Sequence, residues 1–236
     1  MRFSTCQFTN PGGRHPNEDS VESFSIENRY AWIAADGLGG HVSGEIASAE
    51  AVRSLKNSFY TAGVISQSFA EKAFQYMNDD ILALRGPLTT AVCAFSDGKT
   101  LWYGNNGDSR FYFIRDKKIM HHTNDHSLAY VDYLSGNITY DEISLHPAQN
   151  RLFHSLGTET DFPGEFYAPV ILQKGDAFLL VTDGFWELIN TEEIIRTLNI
   201  SRKPDEWMGT MLDIVESRLK STSDNYSAVC VMVEED

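Results

Sequence analysis

Cysteine is scarce in this chain, and the long apolar segments of membrane proteins are missing from it. Its 236 residues include three cysteines, Cys6, Cys93 and Cys230, and no Cys-x-x-Cys pair. We therefore expect three reduced, buried thiols and neither a disulfide framework nor a zinc site. No apolar run approaches the roughly 18 residues that cross a bilayer, and the first residues contain no apolar signal segment. We expect no membrane insertion and a cytoplasmic location.

Basic residues are also few. Lysine and arginine total 19 against 33 aspartates and glutamates, which gives a formal net charge of −14. Nucleic acids attract proteins of the opposite charge, so we expect no nucleic-acid partner. The acids either form a solvated surface or include metal ligands, and the bulk charge does not distinguish the two.

Internal repeats, low-complexity tracts and Pro/Ser-rich linkers are absent from the sequence, which predicts a single domain over 1–236. Apolar spacing in the first part predicts two strands and two helices, the first helix capped by Ser43. The strands are expected over 1–9 and 29–35, and the helices over about 44–60 and 65–84.

The second part of the chain changes to strand patterns. We predict four strands within 88–122 and a short polar segment, partly helical, over about 127–150. A hairpin is expected within 166–184, turning at Gly175–Asp176. Further predictions are a helix capped by Thr191, a helix with Pro204 in its first turn and a closing strand over 225–233. Because these runs do not alternate as βαβα, we predict an α+β fold of largely antiparallel sheets with helices packed outside.

Acidic residues recur where apolar strands begin or end. The run AWIAA leads into Asp36, FLLV leads into Thr182-Asp183, and Asp224 precedes YSAVCVMV. Asp108 precedes the run FYFI in the same way. Because strands fix the backbone, acids at their ends can converge on one rim of a sheet.

The Asp36 segment differs from an ordinary turn. A lone Asp-Gly pair is first a turn signal, and Asp97-Gly98 is interpreted as one. After Asp36, however, glycine occupies four of the eight positions in 37–44. Glycine is costly to order, so this density indicates backbone that approaches a ligand closely and presents carbonyl oxygens to a cation.

The candidate ligands are all oxygen donors, and no Cys/His cluster accompanies them. This chemistry favours Mg²⁺ or Mn²⁺ over Zn²⁺. Two such ions can activate water for in-line attack on phosphorus. A phosphate monoester also needs a cation for its non-bridging oxygens, and Arg14, close to Glu18 and Asp19, is the candidate. The competing interpretation of Arg14 is a surface salt bridge.

Together and in this order, these segments resemble the PPM-type metal-dependent protein phosphatases, in particular their bacterial form. The resemblance covers nearly the whole chain. It rests on the segments 13–19, 36–40, 107–110, 123–127, 151–157, 182–187 and 224–229. It implies a β-sandwich flanked by helix pairs in an α-β-β-α arrangement, with metal ions at one end of the sandwich.

The resemblance also implies roles for individual residues, carried over by position. Asp36 would bridge two Mn²⁺ or Mg²⁺ ions, and the Gly37 carbonyl would bind one of them. Asp183 and Asp224 would complete that site, and Asp108 would help Asp183 to bind a third, weaker ion.

The remaining implied roles concern water and substrate. Glu18 and Asp19 would hold metal-bound waters, and Arg14 would bind the substrate phosphate. Residues 127–150 would form a flap beside the cleft. Arg14, Glu18 and Asp36 are therefore our catalytic candidates.

One position departs from the pattern of the eukaryotic members. Many of them have His directly after Asp-Gly as a proposed proton donor, whereas this chain has Leu38. His41 is a candidate substitute, a metal-bound water is another, and a structural or exposed His41 is the competing interpretation. His126 is interpreted as structural.

The implied activity is hydrolysis of phosphoserine and phosphothreonine on proteins, the substrates of a cognate Ser/Thr kinase, by a monomer. One alternative is a metal-dependent phosphatase acting on another phosphoester. The other is a pseudophosphatase that binds phosphoproteins without turnover. A decayed site usually loses an acid or the arginine, and here every position is filled, which favours an enzyme.

Overall fold

Two antiparallel β-sheets lie face to face between two layers of helices. The structure, a computed structural model, describes residues 1–38 and 43–234. The strands are β1 (Arg2–Asn10), β2 (Asp19–Ile26), β3 (Arg29–Asp36), β4 (Ala91–Ser96), β5 (Thr100–Asn106), β6 (Arg110–Arg115), β7 (Lys118–His122), β8 (Glu165–Phe166), β9 (Val170–Ile171), β10 (Ala177–Val181) and β11 (Tyr226–Glu234). The helices are α1 (Gly44–Thr61), α2 (Gln67–Leu82), α3 (Leu128–Leu134), α4 (Asp183–Trp186), α5 (Thr191–Ile200) and α6 (Pro204–Arg218), with a 3₁₀ helix over Tyr140–Leu145.

The strand order explains how distant parts of the chain meet. The first sheet has the order β1-β11-β10-β6-β7, and the second has the order β2-β3-β4-β5-β8, with β9 also paired to β5. All of these pairs are antiparallel. The first and last of these strands lie together in the first sheet, because β1 pairs with β11 from Arg2 opposite Glu234 to Asn10 opposite Tyr226.

The inner faces of the two sheets form an aromatic core. Trp32 contacts Phe178 edge to face, with ring centroids 4.9 Å apart, and Tyr103 stacks on Phe111 at 4.3 Å. Aliphatic residues such as Val92 and Val231 fill the space between these rings. Burial of this apolar surface holds the sheets together and fixes where their strands end.

Each helix layer covers one outer face with residues spaced four apart. On α1 these are Ala47, Ala51, Leu55 and Phe59, which pack with α2 against the second sheet. On α6, Trp207, Met211 and Val215 pack against the first sheet in the same manner. This spacing places the side chains on one helical stripe, as the sequence predicts.

The predicted α+β sandwich with outer helix layers is confirmed. The helices expected over 44–60 and 65–84 are present as α1 and α2. Ser43 occupies the first N-cap position, but its side chain makes no capping hydrogen bond, because its backbone is in the left-handed region. The four strands expected within 88–122 are β4 to β7, and Pro204 occupies the first turn of α6. The three cysteines carry free thiols, and Cys6 lies opposite Cys230 on the neighbouring strand.

The predicted hairpin at Gly175–Asp176 is wrong. Its first arm, β9, pairs with β5 in the second sheet, whereas its second arm, β10, lies in the first sheet. The chain crosses between the sheets because Leu172 points into the core between them, and the Gln173 amide then donates to Asp176 Oδ2 at 2.7 Å.

Two smaller corrections concern single elements. Strand β2 was not predicted, because its sequence DSVESFSI does not alternate strictly between apolar and polar residues. The N-cap of α5 is Asn190 rather than Thr191, since the Asn190 side chain accepts from the Glu193 amide at 2.9 Å.

The predicted flap segment over 127–150 contains α3 and the 3₁₀ helix. Its two ends are joined to each other, since the Leu128 amide donates to the Arg151 carbonyl at 3.0 Å. Ile143 is buried in the apolar core that the first sheet forms with α5 and α6. The assignment of this segment as a flap stays a prediction.

Within the described ranges, 1–38 and 43–234, the structure contains no helix that is both long enough and apolar enough to cross a bilayer.

The contact between α5 and α6 yields a stability prediction. Glu193 closes a capping box with Asn190 and receives two hydrogen bonds from Arg218, at 2.8 and 2.6 Å. Glu193→Ala should lower the free energy of unfolding by about 1–2 kcal/mol at pH 7, measured by urea unfolding. Exposed Glu192 supplies the matched control, and Glu192→Ala should change stability far less.

The pH dependence of this effect has a defined sign. Hydrogen bonds from Arg218 lower the pKa of Glu193 below its usual value. A lowered folded-state pKa stabilises the protein above the unfolded value near 4.3 and loses that contribution as the pH falls. An equal deficit for Glu193→Ala at pH 7 and at pH 3.5 would contradict this account.

Candidate metal centre

The strand ends that carry the predicted acids meet at one end of the sandwich. In the second sheet, Asp19 at the start of β2 lies directly opposite Asp36 at the end of β3. In the first sheet, β10 ends at Val181, opposite Ala228 near the start of β11. This pairing brings Asp183, two residues after β10, close to Asp224, two residues before β11.

Most of the predicted site residues line a single cavity of about 630 Å³ at this end of the molecule. Those on its wall are Arg14, Glu18, Asp36, Gly37, Asp183 and Asp224. Asp19 and Asp108 lie behind the wall, with 7% and 2% of their surface exposed. The structure therefore gathers the acids that the sequence separates by up to 206 positions, from Glu18 to Asp224.

Asp19 is held by hydroxyl groups from the other sheet. Its Oδ2 accepts from Thr182 Oγ1 at 2.8 Å and from Ser227 Oγ at 2.6 Å. Within residues 1–38 and 43–234, neither Asp19 Oδ1 nor Asp183 Oδ1 has a hydrogen-bond partner, although both are buried. Buried carboxylate oxygens are normally paired with a donor or a cation, so these two oxygens fit a site that holds a cation.

The electrostatics of the cluster point the same way. Burial, followed by repulsion from Asp183 and Asp19, raises the pKa of Asp36 well above its usual value. Burial and repulsion from Asp108 do the same to the pKa of Asp183. Burial also raises the pKa of Asp19 to about 6, and burial with repulsion from Asp125 raises that of Asp108 to about 8. Cations would relieve both the desolvation and the repulsion.

The acids adjoin one cavity, but their side chains are not yet arranged as ligands around a single point. Among the described residues, no three His, Cys, Asp or Glu side chains are arranged as a metal-binding cluster. Asp224 Oδ2 is instead paired with Arg14 Nη1. The all-oxygen donor set and the two orphaned oxygens nevertheless suit a hard divalent cation.

Close backbone approach explains two of the glycines. A Cβ on Gly37 would lie 2.2 Å from the Gly44 carbonyl oxygen, at the start of α1. A Cβ on Gly184 would lie 2.1 Å from the Asn225 carbonyl oxygen. Both contacts exclude any larger residue and hold the neighbouring Asp36 and Asp183 at the cavity wall.

A buried network supports Asp108 from behind. Trp186 Nε1 donates to the Asp108 carbonyl at 3.0 Å, and the Arg110 guanidinium stacks 3.4 Å from the Trp186 ring. Arg110 in turn forms a two-pronged pair with Asp125, at 2.9 and 2.6 Å. Because Arg110 and Asp125 are almost fully buried and satisfy each other, this pair fixes the segment that presents Asp108.

His126 is part of the same support. Its Nδ1 accepts from the Gly107 amide at 3.0 Å, and its Nε2 lies 3.3 Å from Glu165 Oε2. An accepting Nδ1 places the proton on Nε2, which donates to Glu165. These contacts agree with the structural interpretation of His126.

Sequence reasoning missed several residues of the site. Glu187 lies one helical turn after Asp183, and burial raises its pKa. It accepts a hydrogen bond from Gln149 Nε2, at the end of the predicted flap. Asn225 has no predicted role beyond its place in the segment 224–229, but its Oδ1 accepts from the Glu18 amide at 2.8 Å. The i,i+4 spacing from Asp183 was the one available signal for Glu187.

The predicted proton donor cannot be placed. His41 lies outside the described residues, and Leu38 lines the cavity. His41 as a donor stays a prediction.

Comparisons with known proteins were made by family, by sequence and by structure. No protein-family model matches the chain. The Ser/Thr phosphatase stp of Listeria monocytogenes is 29% identical over 236 residues, covering 94% of this chain and 92% of that protein. Protein phosphatase PhpP of Streptococcus pneumoniae is 34% identical over 195 residues, covering 77% of this chain and 78% of that protein. The crystal structure of Ser/Thr phosphatase Stp1 from Staphylococcus aureus matches with a TM-score of 0.88 at 28% identity, covering 100% of this chain and 96% of that one.

The carboxylate repulsion predicts an unusual stabilising substitution. A carboxyl group whose pKa rises on folding destabilises the folded state as the pH climbs from about 4 towards its folded-state value. Metal-free Asp36→Asn should therefore melt roughly 2–6 °C above the metal-free wild type at pH 8, and the gap should shrink towards pH 5. The measurement is thermal unfolding after dialysis against EDTA.

The control for this substitution is Asp213→Asn, which removes a charge from an exposed position on α6. It should leave the melting temperature nearly unchanged across the same pH range. A metal-free Asp36→Asn protein that melts below the wild type at pH 8 would show that repulsion between the carboxylates does not destabilise the folded protein.

Proposed function

Because the chain belongs to the bacterial PPM-type family of Ser/Thr protein phosphatases, we propose that it hydrolyses phosphate monoesters on serine and threonine side chains of proteins. The observation that carries this proposal is the pair of orphaned, buried oxygens on Asp19 and Asp183, beside a cavity with Arg14 on its wall. That arrangement combines a place for divalent cations with a place for a phosphate.

The metal-holding residues in this proposal are Asp36, the Gly37 carbonyl, Asp183 and Asp224, with Asp108 contributing to a weaker third position. When bound, two Mn²⁺ or Mg²⁺ ions would supply an activated water for in-line attack on phosphorus and would offset the charge of the leaving oxygen. Glu18 and buried Asp19 orient water at the edge of this set. The support is the oxygen-only donor chemistry and the mutual repulsion of the carboxylates.

Arg14 is the residue proposed to hold the substrate phosphate. Its side chain is 56% exposed and pairs with Asp224, which is 27% exposed. A partly exposed guanidinium can exchange this carboxylate for the dianionic phosphate and contact two of its oxygens. In this way Arg14 anchors the phosphate at the acidic end of the cavity and orients the phosphorus for attack.

The proposed substrates are phosphoproteins of a cognate Ser/Thr kinase, as relatives named Ser/Thr phosphatases support. The monomeric state stays a prediction.

The test of the function is hydrolysis of a phosphothreonine peptide and of para-nitrophenyl phosphate. Turnover should be abolished by EDTA and restored by Mn²⁺ or Mg²⁺, because carboxylates alone would repel the phosphate dianion. Asp183→Asn should lower kcat by roughly 100-fold or more while the protein still folds. Full activity after dialysis with excess EDTA would exclude the metal mechanism.

Two outcomes of that assay correspond to the alternatives. Hydrolysis of para-nitrophenyl phosphate without hydrolysis of phosphopeptides would indicate another phosphoester as substrate. Phosphopeptide binding without any hydrolysis would indicate a pseudophosphatase.

Arg14 generates a separate prediction. Arg14→Ala should raise KM and weaken product inhibition by inorganic phosphate, with some loss of kcat, because charge grows on the phosphate in the transition state. Removing the guanidinium from Asp224 should leave Mn²⁺ affinity unchanged or higher. Arg14→Lys should restore activity only partly, since lysine keeps the charge but loses the two-pronged geometry.

Calorimetry of Mn²⁺ binding, combined with steady-state kinetics, distinguishes phosphate binding by Arg14 from a purely structural role. If Mn²⁺ affinity collapses in Arg14→Ala while KM holds, Arg14 is only a structural support for the turn that carries Glu18 and Asp19.

A further inference from the structure

The cavity that holds the acids also has an apolar side. Leu38, Leu88 and Leu152 line it together with the acidic residues and Arg14. Each of the three leucines is half-buried, so part of its surface faces the cavity and water. We call these three residues the leucine wall. A cavity built only for a phosphate and cations would have no use for such a surface, because hydrophobic side chains gain nothing from ions.

Backbone pairing holds the leucine wall rigid. The Leu38 amide donates to the Leu88 carbonyl at 3.0 Å, in direct continuation of β3 beyond Asp36. Thr89 pairs on its other side with Leu156, with amide-to-carbonyl distances of 3.3 and 2.8 Å. Leu38 and Leu88 therefore extend the paired ends of β3 and β4 and are fixed relative to Asp36.

Leu152 reaches the cavity from the segment that follows residues 127–150. It forms a bridge with Ser127, while the Phe153 amide donates to the His126 carbonyl at 2.9 Å. The leucines thus come from three separate segments of the chain, and all three segments are fixed by backbone hydrogen bonds. The three leucines therefore form a fixed apolar part of the cavity lining rather than isolated exposed side chains.

The charges in the same cavity disfavour an acidic occupant beside the phosphate. Arg14 and Arg151 supply positive charge that fits a phosphate group, whereas the acids and the net charge of −14 repel acidic side chains near it. At about 630 Å³ the cavity is also much larger than a phosphate. The remaining space, bounded by the leucine wall, suits an uncharged apolar side chain attached to the phosphorylated residue.

We propose that the leucine wall binds an apolar side chain next to the phosphorylated serine or threonine, so that the enzyme prefers phosphosites with apolar neighbours. This inference rests on the proposed phosphatase function and adds the substrate class to it. The phosphate is held at the Arg14 end, and the neighbouring side chain packs against Leu88 and Leu152.

The test compares three synthetic phosphothreonine peptides that differ only in the residues on both sides of the phosphothreonine. These flanking residues are leucine, alanine or aspartate. With Mn²⁺, the wild-type kcat/KM should be about tenfold higher for the leucine-flanked peptide than for the alanine-flanked one, and lowest for the aspartate-flanked one. This ratio needs no substitution in the protein.

Two variants assign the preference to the wall. In Leu88→Ala and in Leu152→Ala, the leucine-to-alanine ratio of kcat/KM should fall towards one, because the flanking side chain loses its packing partner. The matched control is Leu84→Ala, a leucine that is 40% exposed beyond the end of α2, and it should keep the wild-type ratio. Using a ratio within each variant cancels any general loss of active protein.

The outcomes separate this inference from the function on which it rests. Equal kcat/KM for the leucine- and alanine-flanked peptides in the wild type would overturn the leucine wall and leave the phosphatase function standing. A preference that survives in both Leu88→Ala and Leu152→Ala would also overturn it. No turnover of any of the peptides or of para-nitrophenyl phosphate would overturn both.

Discussion

The structure depends on one electrostatic conflict, the convergence of several carboxylates at a single buried end of a β-sandwich. Burial raises the pKa values of Asp19, Asp36, Asp108 and Asp183, and repulsion from neighbouring carboxylates adds to the effect. Such an arrangement destabilises the protein unless positive charge compensates it. Two buried carboxylate oxygens lack a hydrogen-bond partner within the described part of the chain. Cations beside these oxygens would offset the repulsion between the carboxylates.

The rest of the fold fixes the positions of these carboxylates. Aromatic packing between the sheets fixes the strands, and the antiparallel order brings the end of β10 to the start of β11. Hydroxyl groups of Thr182 and Ser227 orient one oxygen of Asp19, and its other, buried oxygen has no hydrogen-bond partner among the described residues. Leu38 continues β3 just beyond Asp36 and pairs with Leu88, so two of the three residues of the leucine wall are fixed by the same sheet that fixes the acid.

Much of this arrangement could be predicted from the sequence because it lies at boundaries between apolar runs and acids. Asp36 and Asp183 follow continuous apolar runs, and the fixed ends of strands make their convergence predictable. Pairings over long sequence distances were not predictable in the same way. Arg14 pairs with Asp224 across 210 positions, and Gln149 contacts Glu187 across 38. The crossing at Gly175 also escaped prediction, since a turn signal does not reveal whether the flanking strands share a sheet.

The central claim is that the carboxylate cluster releases bound protons when it binds divalent cations. Titration calorimetry of Mn²⁺ into the metal-free protein, repeated in buffers of different ionisation enthalpy, measures the protons released on binding. With the pKa of Asp19 near 6 and that of Asp108 near 8, binding at pH 6 should release more protons than binding at pH 9. Weak Mn²⁺ binding with no proton release at either pH would contradict the account.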